Sequence, residues 1–166
     1  VLQPLFAVFA IVYLWLSVSG TVDFALLSPE YWKANLMVHP DAEIALTTQF
    51  AFLGIRLLHV PFGLLAIIMA IAIMRLVQNG VLFDTRIASR FRWAGLALAL
   101  SSALAWFTSS WIITFLTWHN PQGPMPPDLY FSIEAASLIL CGGGFYLVGW
   151  IMGEAISIAR DNEGFV

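Results

Sequence analysis

The stretch "FLGIRLLHVPFGLL", residues 52–65, places Arg56 and His59 three residues apart in an otherwise apolar run. On a helix that spacing projects both side chains from roughly one face. A guanidinium beside an imidazole can hold an anion or pass a proton, and a neutral imidazole can also ligate a haem iron or a chlorophyll-type magnesium. One histidine cannot supply two axial ligands, so a bis-histidine haem held by a single copy is excluded, and no cofactor is expected. The plainer role for His59 is a neutral ring bonded to a neighbouring serine or backbone carbonyl. Arg56 is the harder problem. A charge at the centre of hydrocarbon costs roughly 2.5–3.5 kcal/mol even on lenient insertion scales. The simplest remedy is an acid, and Glu134 is the acid within an apolar run at comparable depth. Arg56 lies nine residues in from Thr47, ~14 Å at 1.5 Å per residue, and Glu134 five residues in from Leu129, ~8 Å. The long arginine stem can cover the remaining ~6 Å by snorkelling. The sequence therefore predicts an Arg56–Glu134 clasp between the second and fourth apolar runs, with Ser109, Ser110 and Thr114 completing the hydrogen bonds. The other readings of the same charge are an ion or proton site, a water-filled vestibule, or a partner subunit facing the guanidinium.

Other reactive residues are weaker candidates. "HPDAE" sets His39, Asp41 and Glu43 at alternate positions, with His119 in a second polar segment. Alternation suits a strand, whereas this segment precedes a helical run, and acids there favour the helix dipole without any metal. No metal site is expected. The single cysteine, Cys141, excludes an internal disulfide and a cysteine-based metal site, and reads as a small packed hydrophobe. The serines lack a histidine and an acid at matching depth, and there is no phosphate loop or zinc motif, so the chain is read as non-enzymatic. Small residues say more. Gly142, Gly149 and Gly153 share one helical face, as do Gly95, Ala99, Ser102 and Ser109. Such stripes let helices approach closely in membranes, within one chain or between copies, so a homo-oligomer is among the readings.

The elements that position these residues follow from composition. Of 166 residues 60% are hydrophobic and 10% charged, against about 25% charged in soluble domains. So small a soluble domain could not hide that much apolar surface. Four apolar runs, about 4–26, 46–75, 93–118 and 129–153, each have the ~20 residues needed to cross a bilayer. In lipid the backbone must bond to itself, so each is expected to be a helix. The expectation is an all-α, single-domain, four-helix membrane bundle. "LLSPEYWK" adds a capped, aromatic segment at about 28–37 suited to a short interfacial helix. Asp128 is the expected cap of the last span. No internal repeat occurs, which weakens a transporter built from inverted copies. Net charge is −3 with no basic cluster, so direct nucleic-acid binding is not expected.

Two segments carry a resemblance. "NGVLFDTRIASRFRWAG" and the terminal "ARDNEGFV" resemble a bacterial family of small four-helix membrane proteins known as domain of unknown function 2975. That family has a "G-x-x-F-[ST]-x-x-N" approach to its third helix and a tail like "E-N-x-L-T-V". Here Gly80, Phe83 and Asp84 stand in the first pattern, and Asn162, Glu163, Phe165 and Val166 in the second, with Asp84 replacing a hydroxyl residue. The resemblance spans nearly the full chain and implies a multi-pass protein of the bacterial inner membrane. Genes of the family often neighbour a small helix-turn-helix regulator, which implies membrane-linked regulation.

These readings converge on an accessory or regulatory membrane protein. Its proposed contacts are the bilayer, another membrane protein, or a small cytoplasmic regulator met by Arg86, Arg90, Arg92 and Arg160. The rivals are a small transporter or channel subunit, and a subunit contacting a pigment, quinone or haem. The segment between the second and third runs holds Arg75, Arg86, Arg90 and Arg92, whereas the two opposite segments hold only Lys33. The positive-inside rule then puts both termini in the cytoplasm. Alkaline phosphatase fused after Val166 is expected to be inactive, and a cytoplasmic reporter at the same site active; the reverse would invert the topology.

Overall fold

The computed structural model describes residues 2–26, 46–81, 83–118, 123–127, 129 and 132–163. Regular structure among these is entirely helical: α1 (Leu2–Leu26), α2 (Leu46–Leu57), α3 (Val60–Gln78), α4 (Thr85–Leu116) and α5 (Ile133–Glu163). The segment at 28–37, together with His39, Asp41, Glu43, His119 and Asp128, lies outside the described residues.

The second apolar run is two helices rather than one. Pro61 has no amide hydrogen for the carbonyl four residues back, Leu57, and its ring crowds that carbonyl. Helix α2 accordingly stops at Leu57, and Leu58 turns back more tightly onto Ile55 O at 3.2 Å. Helix α3 restarts at once, with Pro61 in its first turn, where a missing N–H costs little.

Local chemistry sets the other boundaries. Helix α3 ends in a Schellman motif: Val81 N–H bonds Leu76 O at 3.0 Å, Gly80 N–H bonds Val77 O at 3.0 Å, and Gly80 has φ +76°. Asp84 then caps α4, accepting the Arg86 amide at 2.7 Å while its carbonyl takes Ile87 N–H at 2.9 Å. The Arg86 guanidinium doubles back onto the same carboxylate at 2.8 Å. These side-chain and amide bonds from Arg86 hold the Asp84 carboxyl down to about 2, so the cap is ionised at neutral pH. The stretch from Thr85 to Arg92 is thus continuous with the third apolar run. Helix α5 begins later than expected, at Ile133, because Ser132 supplies the cap: its Oγ accepts Ala135 N–H at 3.1 Å.

Helix α4 is the centre of the arrangement. It packs most extensively on α5, then on α3 and α2, while α1 packs on α2 and α3. Helices α1 and α5 share no extensive contact among the described residues, so the four rods form a row rather than a closed ring, and it bends round a cavity lined from α1, α3, α4 and α5. The α4–α5 contact is backbone against backbone. A Cβ at Gly142 would lie 2.6 Å from Gly95 O and 2.8 Å from Ala99 N. One at Gly149 would lie 2.6 Å from Ala88 O and 2.7 Å from Arg92 N. Ala88, Ala97 and Ile87, at most 2% exposed, fill the core beside this seam, and Phe91 stacks on Phe145 at 6.0 Å between ring centres.

Among the described residues, three helical stretches are long and apolar enough to cross a membrane: Leu53–Gln78, which runs through the kink, Thr85–Leu116 and Ile133–Asn162. Their outward faces carry large apolar side chains such as Ile68, Leu140, Trp150 and Ile151, all more than half exposed.

The seam predicts opposite signs for equal substitutions. Gly142→Ala and Gly149→Ala should each destabilise by about 1–3 kcal/mol through overpacking. Gly143→Ala and Gly144→Ala, whose added methyl groups would meet nothing within 4 Å, should stabilise by roughly 0.5–1 kcal/mol. Unfolding of the four variants in mixed detergent micelles reads the difference; uniform signs would show that the seam tolerates a methyl.

Candidate functional site

The kink at Pro61 assembles the site. At the broken turn the His59 Nδ1–H donates to Arg56 O at 2.8 Å, three residues back. A carbonyl can only accept, so Nδ1 carries the hydrogen and Nε2 of the neutral ring is left as the acceptor. The His59 carbonyl receives Ser101 Oγ–H from α4 at 3.1 Å and the Gly63 amide at 3.2 Å. Backbone acceptors beside the proline are thus met by a ring and a hydroxyl, as irregular backbone in an apolar setting requires.

The Arg56 guanidinium reaches across to α4, where Nη1 donates to Ser109 Oγ at 2.8 Å. Guanidinium has five N–H donors. No carboxylate lies within ion-pair distance of Arg56 among the described residues, and Ser109 is its hydrogen-bond partner there. Its surroundings are a pocket of about 310 Å³ lined by Arg56, His59, Ser109, Thr108, Ser17 and Leu16. Thr108 turns its hydroxyl back to Leu104 O at 2.9 Å.

The predicted Arg56–Glu134 clasp is not formed. Glu134 is exposed in the first turn of α5, which packs on α4 and has no extensive contact with α2 among the described residues. Equal depth in a bilayer fixes only one coordinate, and the packing order separates the pair in the other two. Ser110 is buried and lines a different cavity with Ser132 and Ala135, at the α4–α5 boundary. Thr114 is also buried, and its hydroxyl has no partner among the described residues. The structure therefore brings Arg56, His59 and Ser109 together, and leaves Glu134, Ser110 and Thr114 outside.

Of the glycines, Gly142 and Gly149 sit in the α4–α5 seam, whereas Gly153 is looser, its nearest neighbour being Arg92 Nη2 at 3.6 Å from a built Cβ. The arginines expected to face a partner are largely engaged internally. Arg86 holds Asp84, Arg90 Nη1 donates to Ala72 O at 2.7 Å and ties α4 to α3, and the Arg92 stem lies across Gly149. Arg160 is exposed near the end of α5.

Two contributors escape sequence reasoning. Ser101 is forty-two positions from the carbonyl it serves. Tyr13 of α1 lies directly on Gly63 of α3, in the space a Cβ would take. The one sequence cue for the second is a phenol tip within an apolar run opposite a glycine in the kinked helix.

No protein-family model matches the chain, and no curated protein or solved structure is similar to it.

The geometry makes a coupling test decisive. Arg56→Met and Ser109→Ala should couple by about 1 kcal/mol, one hydrogen bond's net worth. Arg56→Met and Glu134→Gln should be additive within ~0.3–0.5 kcal/mol. Double-mutant cycles on detergent unfolding measure both; a larger coupling to Glu134 than to Ser109 would restore the clasp.

Proposed function

We propose that this chain is a non-enzymatic, multi-pass protein of the bacterial inner membrane, with α1 as the fourth span and both ends cytoplasmic, and that it works as an accessory or regulatory subunit by binding a ligand at Arg56. The observation that carries this reading is the guanidinium itself. It lies in an apolar stretch, has no carboxylate within ion-pair distance among the described residues, and borders a pocket it shares with His59. A charge in such a place is a functional site by default, because burying it without a counter-charge is costly unless something else compensates. A cytoplasmic regulator docking on Arg86, Arg90 and Arg92 draws less support, since those side chains already serve the fold. Kinship to the domain 2975 family is proposed on the loop and tail residues alone.

The test is what the protein carries out of the membrane. Wild-type chain, Arg56→Met and Glu134→Gln are purified from native membranes in mild detergent, and bound small molecules are identified by native mass spectrometry. Wild type and Glu134→Gln should carry a common ligand that Arg56→Met lacks. Equal occupancy in all three, or none in any, would remove Arg56 as the working site.

A further inference from the structure

The Arg56 pocket does not end at His59. His59 and Ala105 also line a second cavity, about 650 Å³, inside the curve of the helix row. Its walls are stripes at helical spacing: Gly63, Ala66 and Ala70 on α3, and Ala94, Leu98 and Ala105 on α4. Ala66, Ala70, Ala94 and Ala105 leave the wall hollow where larger side chains would fill it, while Tyr13 rests on Gly63. Along α3 the trough runs from Gly63 to Ile73, ten residues, or ~15 Å. Phe9 and Tyr13 of α1 form one lip, Leu138 and Phe145 of α5 the other, on the side where those two helices do not pack. The volume falls within the ~300–1,000 Å³ of small-molecule sites.

The two cavities share His59 and Ala105 in their walls, so a cationic head pocket adjoins an apolar body, and an occupant reaching across both would fill one slot. Resting on the reading of Arg56 as a binding site, we infer that the slot takes a single-chain amphiphile with a carboxyl head, a long-chain fatty acid. Three features select that chemistry. The guanidinium fork matches the two oxygens of a carboxylate and holds them by charge-assisted hydrogen bonds. His59 Nε2, left with its lone pair by the bond from Nδ1–H to Arg56 O, can take the proton of an acid that enters uncharged, leaving the carboxylate on Arg56 beside an imidazolium. A quinone carbonyl would satisfy the arginine but bring no proton for Nε2. The small-residue trough then takes the hydrocarbon tail.

Native mass spectrometry of the detergent-purified chain with added palmitate, methyl palmitate and butyrate tests the inference. Palmitate should add once per chain. Methyl palmitate, which lacks the charge, and butyrate, which lacks the tail, should each bind at least about tenfold more weakly, a loss of ~1.4 kcal/mol. Arg56→Met should weaken palmitate about tenfold, with Arg56→Lys intermediate, and Ala66→Phe should do the same by filling the trough while Arg56 stays in place. Circular dichroism and gel filtration confirm that each variant is folded. Equal binding of palmitate and methyl palmitate would overturn the proposal, as would full palmitate binding by Ala66→Phe. Butyrate binding as tightly as palmitate, in an Arg56-dependent way, would overturn the fatty acid yet leave Arg56 as a binding site. Loss of every Arg56-dependent effect would remove both.

Discussion

A proline has no amide hydrogen, and this one absence at Pro61 organises the centre of the molecule. It divides the second apolar run into α2 and α3, and leaves polar backbone in an apolar setting. The Arg56 carbonyl takes the His59 ring, and the His59 carbonyl takes Ser101 from α4. The repair therefore binds the kinked helix to its neighbour and fixes the tautomer of the histidine. Arg56, at the last turn of α2, is carried to the same side and lands on Ser109.

The second constraint is steric. Glycines on α4 and α5 let two backbones approach to a distance that no side chain would permit, so these long helices form a close pair. In a membrane such contact replaces the hydrophobic drive that holds helices together in water. Because α5 docks on α4 through this seam, α5 packs on α4 and not on α2 among the described residues. The row then curves without closing, and its inner side becomes a trough. The same glycines that make one pair tight therefore leave the opposite side open. Arg90 reinforces the curve at the other end of α3, by bonding the Ala72 carbonyl.

Site and scaffold are thus coupled through α4. Its face toward α3 supplies Ser101, Ser109 and Ala105 to the pockets, while its face toward α5 supplies Gly95, Ala88 and Ala99 to the seam. Tyr13 closes the slot from α1 by resting on Gly63, a contact possible only because Gly63 has no side chain.

Much of this was legible in the sequence. Composition and the long apolar runs determine helices of membrane-crossing length, because charge is too scarce for any soluble packing of so small a chain. Asp84 and Gly80 mark the ends of helices through local hydrogen bonds and a positive φ, which depend on near neighbours alone. Gly142 and Gly149 could be read as a close-contact face, since helical periodicity is local. Arg56 and His59 stood out because charge in an apolar run is conspicuous. Their partners did not. Depth along a span is a one-dimensional coordinate, and it paired Arg56 with Glu134 although α5 packs on α4 and has no extensive contact with α2 among the described residues. Ser109 and Ser101 became the partners because α4 packs on α3 and α2 beside the kink. The depth of a charge belongs to the sequence; the side of the helix on which its partner stands belongs to the fold.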